Sequence, residues 1–445
     1  MIFSAKFSAF IGLALLAAPG ATAEGNQAEK IQAALEAWVE ERAAPEKVTG
    51  IAAYVSFGDP GPAIEAFAGK VGRDPHDPAV RQNTLFQMGS TSKSFCAAVI
   101  LKLEAAGKLS LDDTIGQWLP QYPAWKDVSI RRLLNMTSGI PNYSETESIS
   151  RAWVNDPTRD FTAEELVKAV YPSGANDLPA TTGYHYSNTN YLLASMIAEK
   201  ASERSYRDLV HEMVIDSVGL DSTFYENGTY PAAVTGRLAH GYFDNPACAD
   251  YQPDCKEAWN LSLMGRDVTG MSTSWAQAAG GAVASARDVD RWMRAVFEGH
   301  VVPAKQEAEW MALVSTKTGQ PIADVSADDP RGFSLGLSKG ILGSFGAQWF
   351  YQGATLGYRT LYVWFEKEDL MITVQTNSQP SDEANKLSAA VAAIYEIVRF
   401  RRSRKTTAPQ NGLIMLGLSA SIHSSAWRHG VHDIYRPRLN HHRRR

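Results

Sequence analysis

Residues 27–42, QAEKIQAALEAWVEER, place apolar side chains at helical spacing and predict a helix. The segments TGIAAYVSFG and AIEAFAGKVG follow. They have strand character and are separated by Asp59-Pro60-Gly61-Pro62, a turn signal, so together they predict a hairpin. From about residue 91 to 300 the apolar spacing is mainly helical, cut by Pro- and Gly-containing loops. Strand-like runs return in FSLGLSKG, AQWFYQG, YRTLYVWFE and DLMITVQTN, and an amphipathic helix is expected over 382–400. Strands at both ends of the chain with a helical block between them predict an α/β (α+β) fold. Its expected form is one antiparallel sheet flanked by helices, with an inserted all-helical subdomain over about 109–300.

A chain of 445 residues, 44% hydrophobic, can bury a large core, and its net charge of −5 gives no reason to expect nucleic acid as a partner. Lys6, an apolar run from Phe7 to Ala18, Pro19-Gly20 and then Ala21-Thr22-Ala23 together read as a secretory leader with cleavage before Glu24. The apolar run is well short of the roughly 20 residues a bilayer span needs. The expected division is therefore a leader over 1–23, a body over 24–400 and a basic, solvated tail over 401–445 that opens with RFRRSRK and closes with HHRRR. Export would allow Cys248 and Cys255, in the polar stretch NPACADYQPDC, to close a small disulfide ring. Cys96, in an apolar helical run, reads as a small buried hydrophobe. His211-Glu212 lacks the second histidine of a zinc-protease helix, and no metal or other cofactor is expected.

The chemistry concentrates in two segments. In FQMGSTSKSFCAAVILKLEAAGKLS, residues 86–110, a strand-like approach leads into Ser90-Thr91-Ser92-Lys93 and an apolar-periodic helix follows. One helical turn sets Ser90 beside Lys93. A serine hydroxyl needs a base to become a nucleophile, and a lysine whose pKa burial lowers can be that base. In TTGYHYSNTNYLL, Tyr186-Ser187-Asn188 puts a phenol and an amide two residues apart ahead of a helix. Both side chains can reach one cleft, the phenol to pass a proton and the amide to orient Lys93 and a substrate amide.

With MGSTSKSF, RRLLNMTSGIPNY (131–143), GYHYSNTNYLL, AAGGAVASARDVDRW (278–292) and YQGATLGYRT (351–360) in that order, the chain resembles the serine β-lactamase and DD-peptidase superfamily over about residues 30–400. The likeness is to its class C-like branch of D-Ala-D-Ala carboxypeptidases and related esterases. The resemblance implies a β-lactamase/transpeptidase-like fold, a Ser90 nucleophile, proton transfers shared by Lys93 and Tyr186, and Asn188 as their positioner.

Family members also carry Lys-Thr-Gly or His-x-Gly on a strand facing the serine. Lys317-Thr318-Gly319 has the letters but runs into Gln320-Pro321 and the polar ADVSADDPRG, which is loop chemistry. Tyr351-Gln352-Gly353 lacks the letters but ends a strand-like run and turns into another, so it is the expected third box. By analogy the oxyanion donors are the backbone N–H groups of Ser90 and Ala354. Tyrosine removes a cation that would bind a carboxylate, and Arg359 is the candidate replacement, with an exposed strand arginine as the alternative. The expected function is an exported serine hydrolase, D-Ala-D-Ala carboxypeptidase-like on small acyl or peptidoglycan-peptide substrates. An esterase, amidase or β-lactamase follows as an alternative, and an inactive binding protein on the same scaffold comes from another class.

Overall fold

A computed structural model of the chain describes residues 21–58, 63–172, 183–244, 263–381 and 384–405. The expected hairpin forms as β1 (Gly50–Phe57) and β2 (Ile64–Gly69). Seven further strands follow late in the chain: β3 (Leu313–Ser315), β4 (Pro321–Ile322), β5 (Arg331–Phe333), β6 (Ser338–Ile341), β7 (Ala347–Thr355), β8 (Tyr358–Phe365) and β9 (Leu370–Thr376). They join the hairpin in one antiparallel sheet of order β2-β1-β9-β8-β7-β6-β5-β3-β4. FSLGLSKG is not one strand: β5 ends at Phe333, Gly336 takes φ +80° in the bend, and β6 begins at Ser338.

Alternation on these strands sorts side chains between two layers. Leu361, Val363 and Phe365 of β8 pack with Phe350 of β7 and with Ile372 and Val374 of β9 on one face. That face is covered by helices α1 (Ala21–Glu46) and α5 (Leu387–Lys405), through Ile31, Leu35, Val391 and Ile394. The opposite alternates, Trp349, Tyr351, Tyr358, Tyr362 and Trp364, join the larger core of the helical block. That block contains α2 (Lys93–Ala105), α3 (Thr189–Ser202) and α4 (Ala286–Phe297). Cys96 lies fully buried on α2, where desolvation raises its thiol to about 12, so it is a packed hydrophobe and no nucleophile.

Most of the expected leader, both residues of the expected Cys248–Cys255 pair, and the basic tail beyond Lys405 lie outside the described residues. The start of that tail continues α5 as far as Lys405. No helix among the described residues is long and apolar enough to cross a membrane.

Candidate active site

Ser90 lies in a tight 3-10 turn, Gly89–Ser92, that runs straight into α2. Residues three apart nearly eclipse in such a turn, which stacks Ser90 on Lys93. Gly89 takes φ +55°, and a side chain there would meet the Ala354 backbone, its Cβ 2.6 Å from the Ala354 nitrogen. Gly353 is constrained from the other direction: a Cβ would lie 2.0 Å from the Met88 carbonyl oxygen and 2.8 Å from the Ser90 nitrogen. Two glycines thus allow the serine turn to lie against the end of β7, backbone to backbone.

Lys93 is fully buried. Its Nζ lies 3.1 Å from Ser90 Oγ, 2.7 Å from Asn188 Oδ1 and 2.6 Å from the Ala279 carbonyl oxygen. Among the described residues it pairs with no carboxylate, and desolvation holds it well below its ordinary 10.5. Nζ donates to the Ser90, Asn188 and Ala279 oxygens, so an amine that has lost a proton would turn its lone pair toward one of these three, and only the Ser90 hydroxyl has a proton to give it. Asn188 is held in the required orientation because its Nδ2 donates to Ser144 Oγ at 3.0 Å and its backbone N–H donates to Asn142 Oδ1 at 3.0 Å.

Tyr186 Oη is 2.7 Å from Ser90 Oγ, and the Tyr351 hydroxyl donates to Tyr186 Oη at 3.3 Å. Burial pushes the Tyr186 phenol above its ordinary 10.0, opposed by these two hydrogen bonds, so it stands as a neutral acid. Tyr351, Tyr186, Ser90 and Lys93 are therefore joined in one hydrogen-bonded chain.

The structure brings Ser90, Lys93, Tyr186, Asn188, Tyr351, Gly353 and the Ala354 backbone together. It does not bring in Gln352 or Arg359. Gln352 follows Phe350 on the face of β7 that α1 and α5 cover, so its side chain is directed away from Ser90. Arg359 alternates with Leu361 on that same face, and the expectation that it replaces a substrate-binding cation is corrected by its partners. Its guanidinium donates to the Ser378 carbonyl and hydroxyl and to Asn385 Oδ1, and it pairs with Glu46 of α1 at 2.7 Å. The exposed strand arginine, the other expectation, also fails, since Arg359 is 1% exposed.

Lys317-Thr318-Gly319 forms the turn between β3 and β4, with Gly319 at φ +72° and Lys317 exposed. Sequence reasoning missed the Ala279 carbonyl, which holds Lys93, and Ser144, which holds Asn188. Both lie in segments already singled out or adjoining them, AAGGAV and PNYS, but a backbone carbonyl carries no side-chain signal. Among the described residues, no group of three or more His, Cys, Asp or Glu side chains could hold a metal ion.

A family model described as Beta-lactamase matches residues 35–396, so the chain belongs to that family, within the superfamily of serine β-lactamases and penicillin-binding proteins. Penicillin-binding protein 4* of Bacillus subtilis (strain 168) is 33% identical over 164 residues, covering 37% of this chain and 35% of that protein. The match thus spans about a third of that relative's own length. Among solved structures, the D-amino acid amidase from Ochrobactrum anthropi SV3 complexed with L-phenylalanine aligns with TM-score 0.69 at 24% identity, covering 84% of this chain and 99% of that one. The D-stereospecific amidohydrolase from Streptomyces sp. aligns with TM-score 0.64 at 23% identity, covering 82% and 98%. These alignments share the mixed helix and antiparallel-sheet fold described above.

Proposed function

We propose that the protein is a serine hydrolase that cleaves amide or ester bonds of small acyl substrates through an acyl-enzyme on Ser90. The observation that carries this is Ser90 Oγ held between Lys93 Nζ at 3.1 Å and Tyr186 Oη at 2.7 Å. Neutral Lys93 takes the Ser90 proton as Oγ bonds the acyl carbon, and Tyr186 gives its proton to the departing nitrogen or oxygen as the old bond breaks. The Ser90 and Ala354 N–H groups are the proposed donors to the developing oxyanion, where losing one such donor typically costs about 100- to 1000-fold in rate. Water then releases the acyl group by the reverse transfers.

The preferred substrates end in an uncharged amide or ester. Tyr351 supplies a hydroxyl where a cation would meet a carboxylate, and Arg359 is engaged on the other face of the sheet. D-Ala-D-Ala carboxypeptidase activity on peptidoglycan peptides is the second reading. Similarity to a penicillin-binding protein and the leader-like N-terminus, which would place the enzyme outside the cytoplasm, support it.

The test is incubation with a short-chain p-nitrophenyl ester, D-alaninamide, a D-Ala-D-Ala peptide and a fluorescent penicillin, beside Ser90→Ala. Ester and amide turnover that Ser90→Ala abolishes, without D-Ala release, is the expected result. D-Ala release with stable penicillin labelling makes the second reading correct. A folded protein that turns over none of them has no such activity.

A further inference from the structure

Met136 makes contacts with the tyrosine loop that lie outside the hydrogen-bonded chain Tyr351–Tyr186–Ser90–Lys93. It is a fully buried residue in the left-handed region, φ +63°, just after the short helix Ile130–Leu134. Its carbonyl oxygen accepts the His185 N–H at 2.8 Å. Its thioether Sδ accepts the Ser187 N–H at 3.3 Å and Asn190 Nδ2 at 3.5 Å. The residues immediately before and after Tyr186 are thus both tied to one methionine.

Residues 184–187 belong to no helix or strand. In an extended segment, N–H groups two residues apart point to the same side, where a neighbouring strand would offer carbonyl oxygens. Met136 fills that role alone, with its carbonyl for one donor and its sulfur for the other. A thioether is a weak acceptor, but among the described residues it is the acceptor of the Ser187 N–H and of Asn190 Nδ2, and without it both donors would be left unpaired in the interior. Asn190 is clamped from its other end, since Ser138 Oγ donates to its Oδ1 at 2.7 Å. Met136 also closes the short helix: its N–H donates to the Leu133 carbonyl at 3.3 Å and the Thr137 N–H to the Arg132 carbonyl at 3.0 Å, so its left-handed backbone ends that helix while its carbonyl and sulfur meet the tyrosine loop and Asn190.

We infer that Met136 is a positioning residue for the hydrolytic reaction: its carbonyl and thioether together aim Tyr186 at Ser90. The inference rests on the Ser90 reading, and the test separates the two. Met136→Leu keeps the bulk and removes the acceptor, and Met136→Gln returns an acceptor oxygen on a side chain of similar length. For both variants kcat and KM are measured on the p-nitrophenyl ester, and the Tyr186–Ser90 separation is determined crystallographically. Met136→Leu is expected to lengthen that separation beyond hydrogen-bond reach and to lower kcat about 10-fold or more, with KM within about twofold, because small misplacements are costly in rate. Met136→Gln is expected to restore both readouts, a rescue that a packing role would not produce.

The inference is overturned if Met136→Leu leaves Tyr186 in place with kcat within twofold, or if folded Met136→Gln is as impaired as Met136→Leu. Should Met136→Leu fail to fold, Met136→Gln decides by its own kcat and its own Tyr186 position. Wild-type turnover that survives Ser90→Ala would instead remove the functional reading, while the crystallographic distance still judges Met136.

Discussion

Among the described residues, one lysine and one arginine side chain, Lys93 and Arg359, are fully buried, and their fates differ. Lys93 lies among a hydroxyl, an amide oxygen and a carbonyl oxygen, with no carboxylate partner, and desolvation drives it toward the neutral amine. Arg359, on the other face of the same sheet, is also desolvated, but Glu46 opposes the loss of its charge at 2.7 Å. Glu46 also accepts from Arg42 Nε at 2.7 Å and from the Lys386 N–H at 2.9 Å, so one buried carboxylate ties α1, β8 and the start of α5 together. A buried cation with an anion is a structural tie. A buried lysine without one is pushed toward the neutral form that the proposed general base needs, and this contrast separates the Ser90 face of the sheet from its supporting face.

The largest test of that contrast is Lys93→Met. Activity on the p-nitrophenyl ester should fall by about 100- to 10,000-fold, the usual worth of a general base. The fold should survive and gain stability at neutral pH, because an amine buried without a counter-ion is removed. The sign follows from linkage. The folded pKa of Lys93 lies below the unfolded value of 10.5, so its stability contribution is complete above 10.5 and is lost as pH falls toward the folded pKa. Denaturant unfolding of the wild type should therefore strengthen as pH rises toward 10.5 relative to Lys93→Met. A parallel pH dependence in the two proteins would contradict the unpaired-lysine description. The rate should likewise rise with pH as Lys93 loses its proton.

Glu46→Gln is the complementary experiment. Leaving Arg359 buried without its anion should cost about 3–5 kcal/mol in denaturant unfolding. The folded fraction should keep its kcat, since the ion pair lies behind the sheet. A selective loss of kcat would show that the two faces are coupled.

A smaller effect is expected from Tyr351→Phe. It removes one hydroxyl at 3.3 Å from Tyr186, and a typical hydrogen bond of about 0.5–1.5 kcal/mol corresponds to a several-fold fall in kcat. Lys317→Ala should change least. An exposed turn residue away from buried features alters stability by within about 0.5 kcal/mol, and acylation should be untouched. Abolished acylation in a folded Lys317→Ala protein would make the Lys-Thr-Gly letters the true third box.

Much of this organisation was legible in the chain because it rests on local spacing. Ser90 and Lys93 lie one turn apart whatever packs around them, and Tyr186 and Asn188 leave one loop together. The hairpin and the long strands β7, β8 and β9 were legible for the same reason, whereas the short edge strands β3 and β4 and the break at Gly336 were not. Arg359 was not, because β8 is apolar on both alternating faces: Tyr358, Tyr362 and Trp364 on one, Leu361, Val363 and Phe365 on the other. Periodicity shows that Arg359 shares a face with Leu361, yet cannot say which face meets Ser90.

The sequence by itself thus determined most of the helices and strands, that Ser90 lies beside Lys93, and that Tyr186 and Asn188 share one loop, since each follows from bonds and dihedrals a few residues long. Only the tertiary structure decided which side of the sheet faces Ser90, that Glu46 takes Arg359, that the Ala279 carbonyl accepts from Lys93, and that the Met136 sulfur accepts from Ser187 and Asn190. Those contacts join segments far apart in the chain, and the groups that make them carry no local pattern.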